Sequence, residues 1–182
     1  MNLKQLLFFI SLYDKETYQH VCRVANYSNI IGKELSLNNY EMNLLLYSSL
    51  LHDIGKIFIP IELLYKKEKL TDQEFLLIKN HVNYGLSILP ESMNEIKNII
   101  ASHHERLDGS GYPRHLQNNQ IPELSKIIAI ADSYDAMTSN RLYNKVKTQD
   151  EALEDLLYNS SYYGKNKYSY TFVKIFSKCI KK

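Results

Sequence analysis

Residues 103–113, HHERLDGSGYP, constrain the fold and the chemistry of this chain more than any other stretch. Two adjacent histidines follow an apolar, helix-like run, and a turn with two glycines comes behind them. Neighbouring side chains on an α-helix differ by about one hundred degrees, because about 3.6 residues make one turn. His103 and His104 are therefore expected to face two different ions on either side of a cluster. The glycines free the backbone to fold a loop over whatever lies beside it.

Length and composition are those of one globular domain. The chain has 182 residues, enough for a sizeable core, and its hydrophobic (45%) and charged (23%) fractions are ordinary. A net charge of +2 gives no indication of binding to a nucleic-acid polymer or a membrane surface. Cys22 and Cys179 are far apart, which argues against a disulfide scaffold or a thiolate metal site and predicts a cytoplasmic location. The apolar run at residues 6–12 is too short to span a bilayer, so it indicates a buried first helix or the stub of a connection to another domain.

Helical periodicity dominates the chain, and strand-like alternation is scarce. Capping sequences at residues 71–74 and 148–151 and a proline at position 122 mark helix starts, and residues 160–170 are expected to form a loop. The expected helices cover residues 3–12, 16–34, 39–53, 71–86, 91–103, 122–139, a short stretch from 148, and 170–180. The sequence predicts an all-α, single-domain helical bundle of about seven or eight helices over residues 1–182.

Side chains that can bind a metal fall on five of the expected helices. Glu16 and His20 are four residues apart, so both project from one face of their helix. Asp132 follows a very apolar run, where a carboxylate without a cation beside it would be expensive to bury. Bundle interiors are where such sites form. The candidate ligands are five histidines, two aspartates and one glutamate: Glu16, His20, His52, Asp53, His81, His103, His104 and Asp132.

Eight ligands are more than one ion takes, since an ion in such a site binds about six. The set therefore predicts two or three divalent ions, with Asp53 as the best candidate bridge. Imidazole with carboxylate favours iron or manganese, with zinc, nickel or cobalt as alternatives, over calcium or magnesium. Such ions would lower the pKa of a bridging water and hold a phosphoryl group, and Lys56 is placed to contact a phosphate oxygen. Each feature alone is more often a surface pair or an ordinary buried histidine. Their joint occurrence favours a metal site.

Taken in order, these motifs resemble the HD-GYP domain, a branch of the HD phosphohydrolase superfamily. The resemblance is carried by HDIGK at residues 52–56, by His81, by residues 103–113, and by ADSYDAMTS at residues 131–139. It covers a core at residues 16–145, after a short helix at 3–12. It implies the helical fold of the HD superfamily and hydrolysis of cyclic di-GMP to linear pGpG, to GMP or to both.

The resemblance also implies individual roles. The eight candidate ligands match the family's metal ligands. Among them, Glu16 matches a glutamate found in those members whose sites resemble three-metal centres. Lys56 and Asp53 are implied as the catalytic residues. Asp135 matches a polar position just behind the ligands. The substrate-binding candidates are Lys56, Tyr112, Asp135, Arg141 and Lys145.

Two departures from the family leave other functions open. The family commonly has Arg-Pro-Tyr-Lys after its last motif, whereas this chain has RLYN at residues 141–144 and a lysine one place later. The C-terminal segment, residues 146–182, also diverges from the family's usual ending. The alternatives are an HD hydrolase for another cyclic nucleotide, and a catalytically weak cyclic di-GMP receptor that presents its ligand to a protein partner. Residues 103–113 are the candidate surface for that partner, and neither a nucleic-acid polymer nor a membrane is expected to bind.

Overall fold

The computed structural model describes residues 2–139 and 146–181 of the chain. The regular secondary structure of these residues is entirely helical, and no β-strand is found among them. The predicted all-α bundle is therefore confirmed. The α-helices are α1 (Leu3–Tyr13), α2 (Lys15–Glu34), α3 (Asn39–Leu51), α4 (Ile61–Leu64), α5 (Asp72–Lys79), α6 (His81–Ile88), α7 (Asn94–Ile100), α8 (Glu123–Thr138), α9 (Gln149–Tyr158) and α10 (Tyr170–Ile180).

Local capping explains where several helices begin. The side chain of Thr71 accepts a hydrogen bond from the Glu74 backbone N–H, and the Glu74 carboxylate accepts one from the Thr71 backbone N–H. Thr148 and Glu151 form the same reciprocal arrangement at α9. Each such box pairs two backbone N–H groups that the first turn of a helix leaves unsatisfied. Both predicted capping boxes are thus confirmed.

The number of helices exceeds the seven or eight predicted, for two reasons. The four-residue α4 gave no periodic signal, and the expected helix over residues 71–86 is two helices that meet at Asn80. The Asn80 N–H donates to the carbonyls of both Leu76 and Leu77, which tightens the last turn of α5 before a new helix begins at His81. His81 therefore begins α6 instead of lying midway along a longer helix.

Two apolar cores surround the place where the candidate ligands meet. The larger core is built around α2, which packs against both α3 and α8, with α9 and α10 outside them. The smaller core joins α1 to α3, α7 and the 3-10 helix Ile54–Phe58. Within residues 2–139 and 146–181, no helix combines the length and the apolar character needed to cross a membrane.

Candidate metal centre

Side chains from separate parts of the chain converge on the carboxylate of Asp53, which is 1% exposed. Its Oδ2 lies 3.4 Å from Nε2 of His20 and 3.4 Å from Nε2 of His52. Its Oδ1 lies 3.3 Å from Nε2 of His81. Lys56 Nζ lies 2.5 Å from Oδ2. The carboxylate thus stands at the centre of the histidines, as a bridging ligand would.

Three of the imidazoles are oriented by one repeated backbone contact. Nδ1 of His52, His81 and His103 each bonds the carbonyl oxygen three residues earlier, at 2.7, 2.7 and 2.6 Å. A carbonyl oxygen can only accept, so Nδ1 carries the proton and Nε2 keeps its lone pair. Histidines that bind metals are fixed in this way by hydrogen bonds behind them. These contacts to backbone carbonyls were not predicted from the sequence.

His20 is oriented differently, by a carboxylate from α8. Its Nδ1 lies 2.7 Å from Oδ2 of Asp135, and its Nε2 lies 3.2 Å from Oδ1 of Asp132. Burial lowers the pKa of His20, but the carboxylates of Asp132, Asp135 and Asp53 outweigh it and raise the pKa to about 10. The site therefore concentrates negative charge around this imidazole, which is the field that attracts a divalent cation.

Asp135, a substrate-binding candidate from the sequence, is fully buried behind His20. Its Oδ1 accepts from Nε of Arg23 at 2.7 Å, and its Oδ2 accepts from His20. Both oxygens are used inside the protein, so Asp135 orients His20 from behind. Arg23 was not identified from the sequence. Its spacing of three from His20, on one face of α2, was the available signal.

Ligand atoms fall into two groups that share Asp53. One atom from each of Asp53, His81, His103 and His104 lies within 4.8 Å of the others, and His20, His52 and Asp53 form the second group. His103 and His104 lie in a turn after α7, with ring centroids 3.9 Å apart. The expectation that they face different ions assumed helical geometry, and the turn instead places both in one group.

The protonation states of His103, His104 and Asp53 suit metal binding. Burial lowers the pKa of His103 to about 3, with the neighbouring His52 and His81 adding to the effect. Burial likewise holds the pKa of His104 well below its usual value. Burial raises the pKa of Asp53, but Lys56 and His52 outweigh it and hold that pKa well below its usual value. Neutral imidazoles beside an ionised carboxylate are the forms that ligate a cation.

Two buried polar atoms without hydrogen bonds indicate that these residues can hold a metal ion. His52 Nε2 and Asp53 Oδ1 are buried and make no hydrogen bond with the rest of the described chain. Unsatisfied polar atoms at such depth are costly unless a further group satisfies them. Asp53 belongs to both ligand groups and His52 to one of them, and an imidazole nitrogen with a carboxylate oxygen is a donor set that a divalent ion accepts.

Close backbone packing at two glycines shapes the site. A side-chain carbon at Gly55 would lie 1.9 Å from the carbonyl oxygen of His81. One at Gly111 would lie 2.4 Å from the carbonyl oxygen of His104. Only glycine permits such approaches. The first brings the segment after Asp53 against α6, and the second folds the loop onto the turn that carries the histidine pair.

The loop at residues 108–117 covers His104. The Tyr112 ring stacks on the His104 ring with centroids 4.6 Å apart, and the Tyr112 N–H donates to the His104 carbonyl at 3.2 Å. Glu105 is buried, and its two oxygens accept from the backbone of Arg114 at 2.7 Å and of Leu116 at 3.0 Å. Glu105 therefore holds the loop in place, a role that the sequence did not assign to it.

Glu16 is not brought to either ligand group. Its side chain is 43% exposed, and its Oε1 accepts from Arg23 at 3.0 Å. The shared helix face with His20 is present, but the guanidinium of Arg23 takes the carboxylate. The structure thus gives Glu16 an arginine partner where the sequence suggested a third ion. Arg141 and Lys145 lie outside the described residues.

Comparison with known proteins shows the family to which this chain belongs. Residues 5–166 match the family model for the HD domain. The chain is 40% identical over 157 residues to a cyclic di-GMP phosphodiesterase of Thermotoga maritima, covering 84% of this chain and 43% of that protein. It is 41% identical over 147 residues to the 3'3'-cGAMP-specific phosphodiesterase 2 of Vibrio cholerae, covering 79% of this chain and 28% of that protein.

A solved structure agrees on the fold. The HDG"Y"P protein Bd1817 of Bdellovibrio bacteriovorus superposes with a TM-score of 0.73 at 20% identity, over 90% of this chain and 52% of that one. The chain belongs to the HD domain family, and its resemblance to the HD-GYP branch is confirmed. It spans less than half the length of these curated relatives.

Proposed function

We propose that this chain hydrolyses a phosphodiester bond of cyclic di-GMP at a centre of two divalent ions. One observation carries the proposal: imidazole Nε2 atoms of His20, His52 and His81 lie 3.3 to 3.4 Å from the oxygens of one buried carboxylate, Asp53. The relatives named as cyclic di-GMP phosphodiesterases support the reaction and the substrate class.

The two ligand groups suggest how the ions would be shared. His20, His52 and Asp53 would hold one ion, with Asp132 beside His20. A second ion would be held by the other group, in which Asp53 recurs with His81, His103 and His104. Iron or manganese suits this mixture of imidazole and carboxylate, and zinc, nickel and cobalt are the alternatives.

Ions bound there would supply Lewis-acid polarisation of the phosphoryl oxygens and a water of lowered pKa. The protein's own contribution is charge and orientation. Lys56 keeps 19% of its side chain exposed while its ammonium reaches Asp53, so it is placed to bind a non-bridging phosphate oxygen. Burial raises the pKa of the Tyr112 phenol, with Asp53 and Asp132 adding to the effect, so it stays protonated and can donate to substrate.

The products of the proposed reaction are linear pGpG, GMP or both. Arg141 and Lys145 stay candidates for contacts to the base or phosphate. A protein partner at residues 103–113 also stays a prediction, since no described contact bears on it.

A second substrate has specific support, because one relative at 41% identity is named for 3'3'-cGAMP. 3'3'-cGAMP would be cleaved at the same metal centre, and it differs from cyclic di-GMP in one base. The metal ligands therefore cannot distinguish the two functions, and the relative turnover of the two substrates can.

The test is direct. Protein loaded with Mn²⁺ or Fe²⁺ is incubated with cyclic di-GMP, 3'3'-cGAMP and cyclic di-AMP, and the products are separated by chromatography. We expect linear dinucleotide or mononucleotide from cyclic di-GMP at the highest kcat/KM. Faster turnover of 3'3'-cGAMP would assign the second candidate. Stoichiometric binding without product from any of the three would contradict the enzyme and favour a receptor.

A further inference from the structure

The segment between α9 and α10 returns to the candidate metal centre. The hydroxyl of Tyr168 lies 2.8 Å from Oγ of Ser133 in α8. The guanidinium of Arg106 lies over the Tyr168 ring, 5.0 Å from its centroid. The Lys167 carbonyl accepts from the Leu107 N–H at 3.2 Å. Three kinds of contact thus join this segment to the two elements that carry His104 and Asp132.

The segment is itself held in place. The N–H groups of Lys167 and Tyr168 both donate to the carbonyl of Asn159 at the end of α9, at 3.0 and 3.3 Å. The Tyr168 side chain packs against the larger core. Both residues lie just past residue 166, where the match to the HD domain family ends.

The anchored residues are neighbours of metal-ligand candidates. Ser133 directly follows Asp132, and Arg106 comes two residues after His104. Arg106 also donates to the carbonyls of His103 at 3.3 Å and Glu105 at 2.9 Å, which fixes the turn. Across this junction, Nδ1 of His104 lies 3.9 Å from Oδ2 of Asp132.

We propose that Tyr168 is a positioning residue for the His104–Asp132 side of the metal centre. The inference rests on the metal centre of the proposed function. A metal ligand set must be held to within about half an ångström by groups behind it. His104 and Asp132 come from different elements, and Tyr168 contacts the neighbour of each with its ring and its hydroxyl. It touches neither ligand and acts through Arg106 and Ser133.

The experiment measures metal binding directly. Metal-free protein is titrated with Co²⁺, and the visible absorption of the bound ion reports affinity, stoichiometry and coordination geometry. Tyr168→Phe removes only the hydroxyl that bonds Ser133, whereas Tyr168→Leu also removes the ring under Arg106. Tyr170→Phe is the matched control, because Tyr170 stacks on Tyr162 instead.

We expect Tyr168→Phe to weaken binding of one Co²⁺ by about tenfold, the lower end of effects seen for groups behind metal ligands. Its absorption spectrum should change, its midpoint of thermal unfolding should match the wild type, and Tyr170→Phe should bind as the wild type does. Tyr168→Leu should lose more affinity.

Two results would overturn the proposal. One is wild-type Co²⁺ affinity and spectrum in both folded Tyr168 variants. The other is wild-type binding by Tyr168→Phe where Tyr168→Leu fails to fold. A wild-type protein that binds no Co²⁺ would instead overturn the metal centre itself, and this inference with it.

Discussion

Nδ1 of His20 lies 2.7 Å from Oδ2 of Asp135, a residue 115 positions further along the chain. Arg23, one turn after His20 on α2, holds the other oxygen of the same carboxylate at 2.7 Å. The aspartate is fully buried, and these two side chains occupy both of its oxygens. The pair fixes which nitrogen of His20 faces Asp53 and Asp132.

Asp135→Asn should weaken metal binding by about tenfold to a hundredfold and lower turnover in parallel. The amide can donate its own N–H to Nδ1, which stabilises the His20 tautomer whose Nε2 carries the proton and cannot ligate. Titration of the metal-free protein with Mn²⁺ measures the effect. Asp150→Asn is the control, since Asp150 pairs with Lys181 at the surface. Equal Mn²⁺ affinity in both variants would contradict the orienting role.

His52→Asn should abolish hydrolysis and remove about one equivalent of bound metal, because His52 presents a buried Nε2 with no hydrogen bond of its own. His115→Asn is the matched control. His115 is exposed, and its φ of 53° is one that asparagine tolerates. Elemental analysis and product assay on the same preparations check this prediction. Full metal content and wild-type turnover in His52→Asn would refute the ligand assignment.

Lys56→Ala should leave the metal content close to that of the wild type and lower kcat by about a hundredfold. A protonated amine has no lone pair for a metal, so Lys56 serves Asp53 and the phosphate. Lys66→Ala, which breaks a partly exposed pair with Glu74, provides the control and should retain full activity. A loss of metal as large as that of His52→Asn would show that Lys56 maintains the ligand geometry instead.

Glu16→Gln should leave metal content unchanged, because the carboxylate pairs with Arg23 and lies outside both ligand groups. The sequence favoured the opposite outcome, a third ion shared by Glu16 and His20. Elemental analysis decides between them, together with the ratio of GMP to linear dinucleotide. A loss of about one equivalent of bound metal, with a lower share of GMP among the products, would support the third ion.

Asp14→Ala should lower the free energy of unfolding by about 1 to 2 kcal/mol, the cost of losing an N-cap. Asp14 caps α2 through the backbone of Glu16 and Thr17, and also accepts from the hydroxyl of Tyr65 at 2.5 Å. Asp72→Ala, in the exposed first turn of α5, should cost less. Urea unfolding of both variants measures the difference.

The same residue predicts a pH dependence. Burial raises the pKa of Asp14, but hydrogen bonds from Thr17 and Tyr65 outweigh it, so the net pKa is lowered. A lowered folded-state pKa gives stability that is present above the unfolded pKa and lost as pH falls through the folded one. The difference in stability between wild type and Asp14→Ala should therefore shrink in acid. A constant difference down to the acid limit would contradict this linkage.

Local signals in the sequence were sufficient for the fold class and for most helix starts. Thr71 with Glu74, and Thr148 with Glu151, lie three residues apart, so both the cap and the helix it starts are encoded within one turn. The candidate ligands were likewise visible as residue types in order along the chain. The break at Asn80 was not, because the apolar pattern continues through it.

The sequence by itself determined which helices form and which side chains can bind a metal, because both depend on residues a few positions apart. Only the tertiary structure decided what lies behind those side chains. Asp135 reaches His20 across 115 positions, and Tyr168 reaches Ser133 across 35. Periodicity specifies the face of a helix but not which distant residue packs on it. For that reason the pairing of Glu16 with Arg23 and the contact of Tyr168 with Ser133 were not predicted from the sequence.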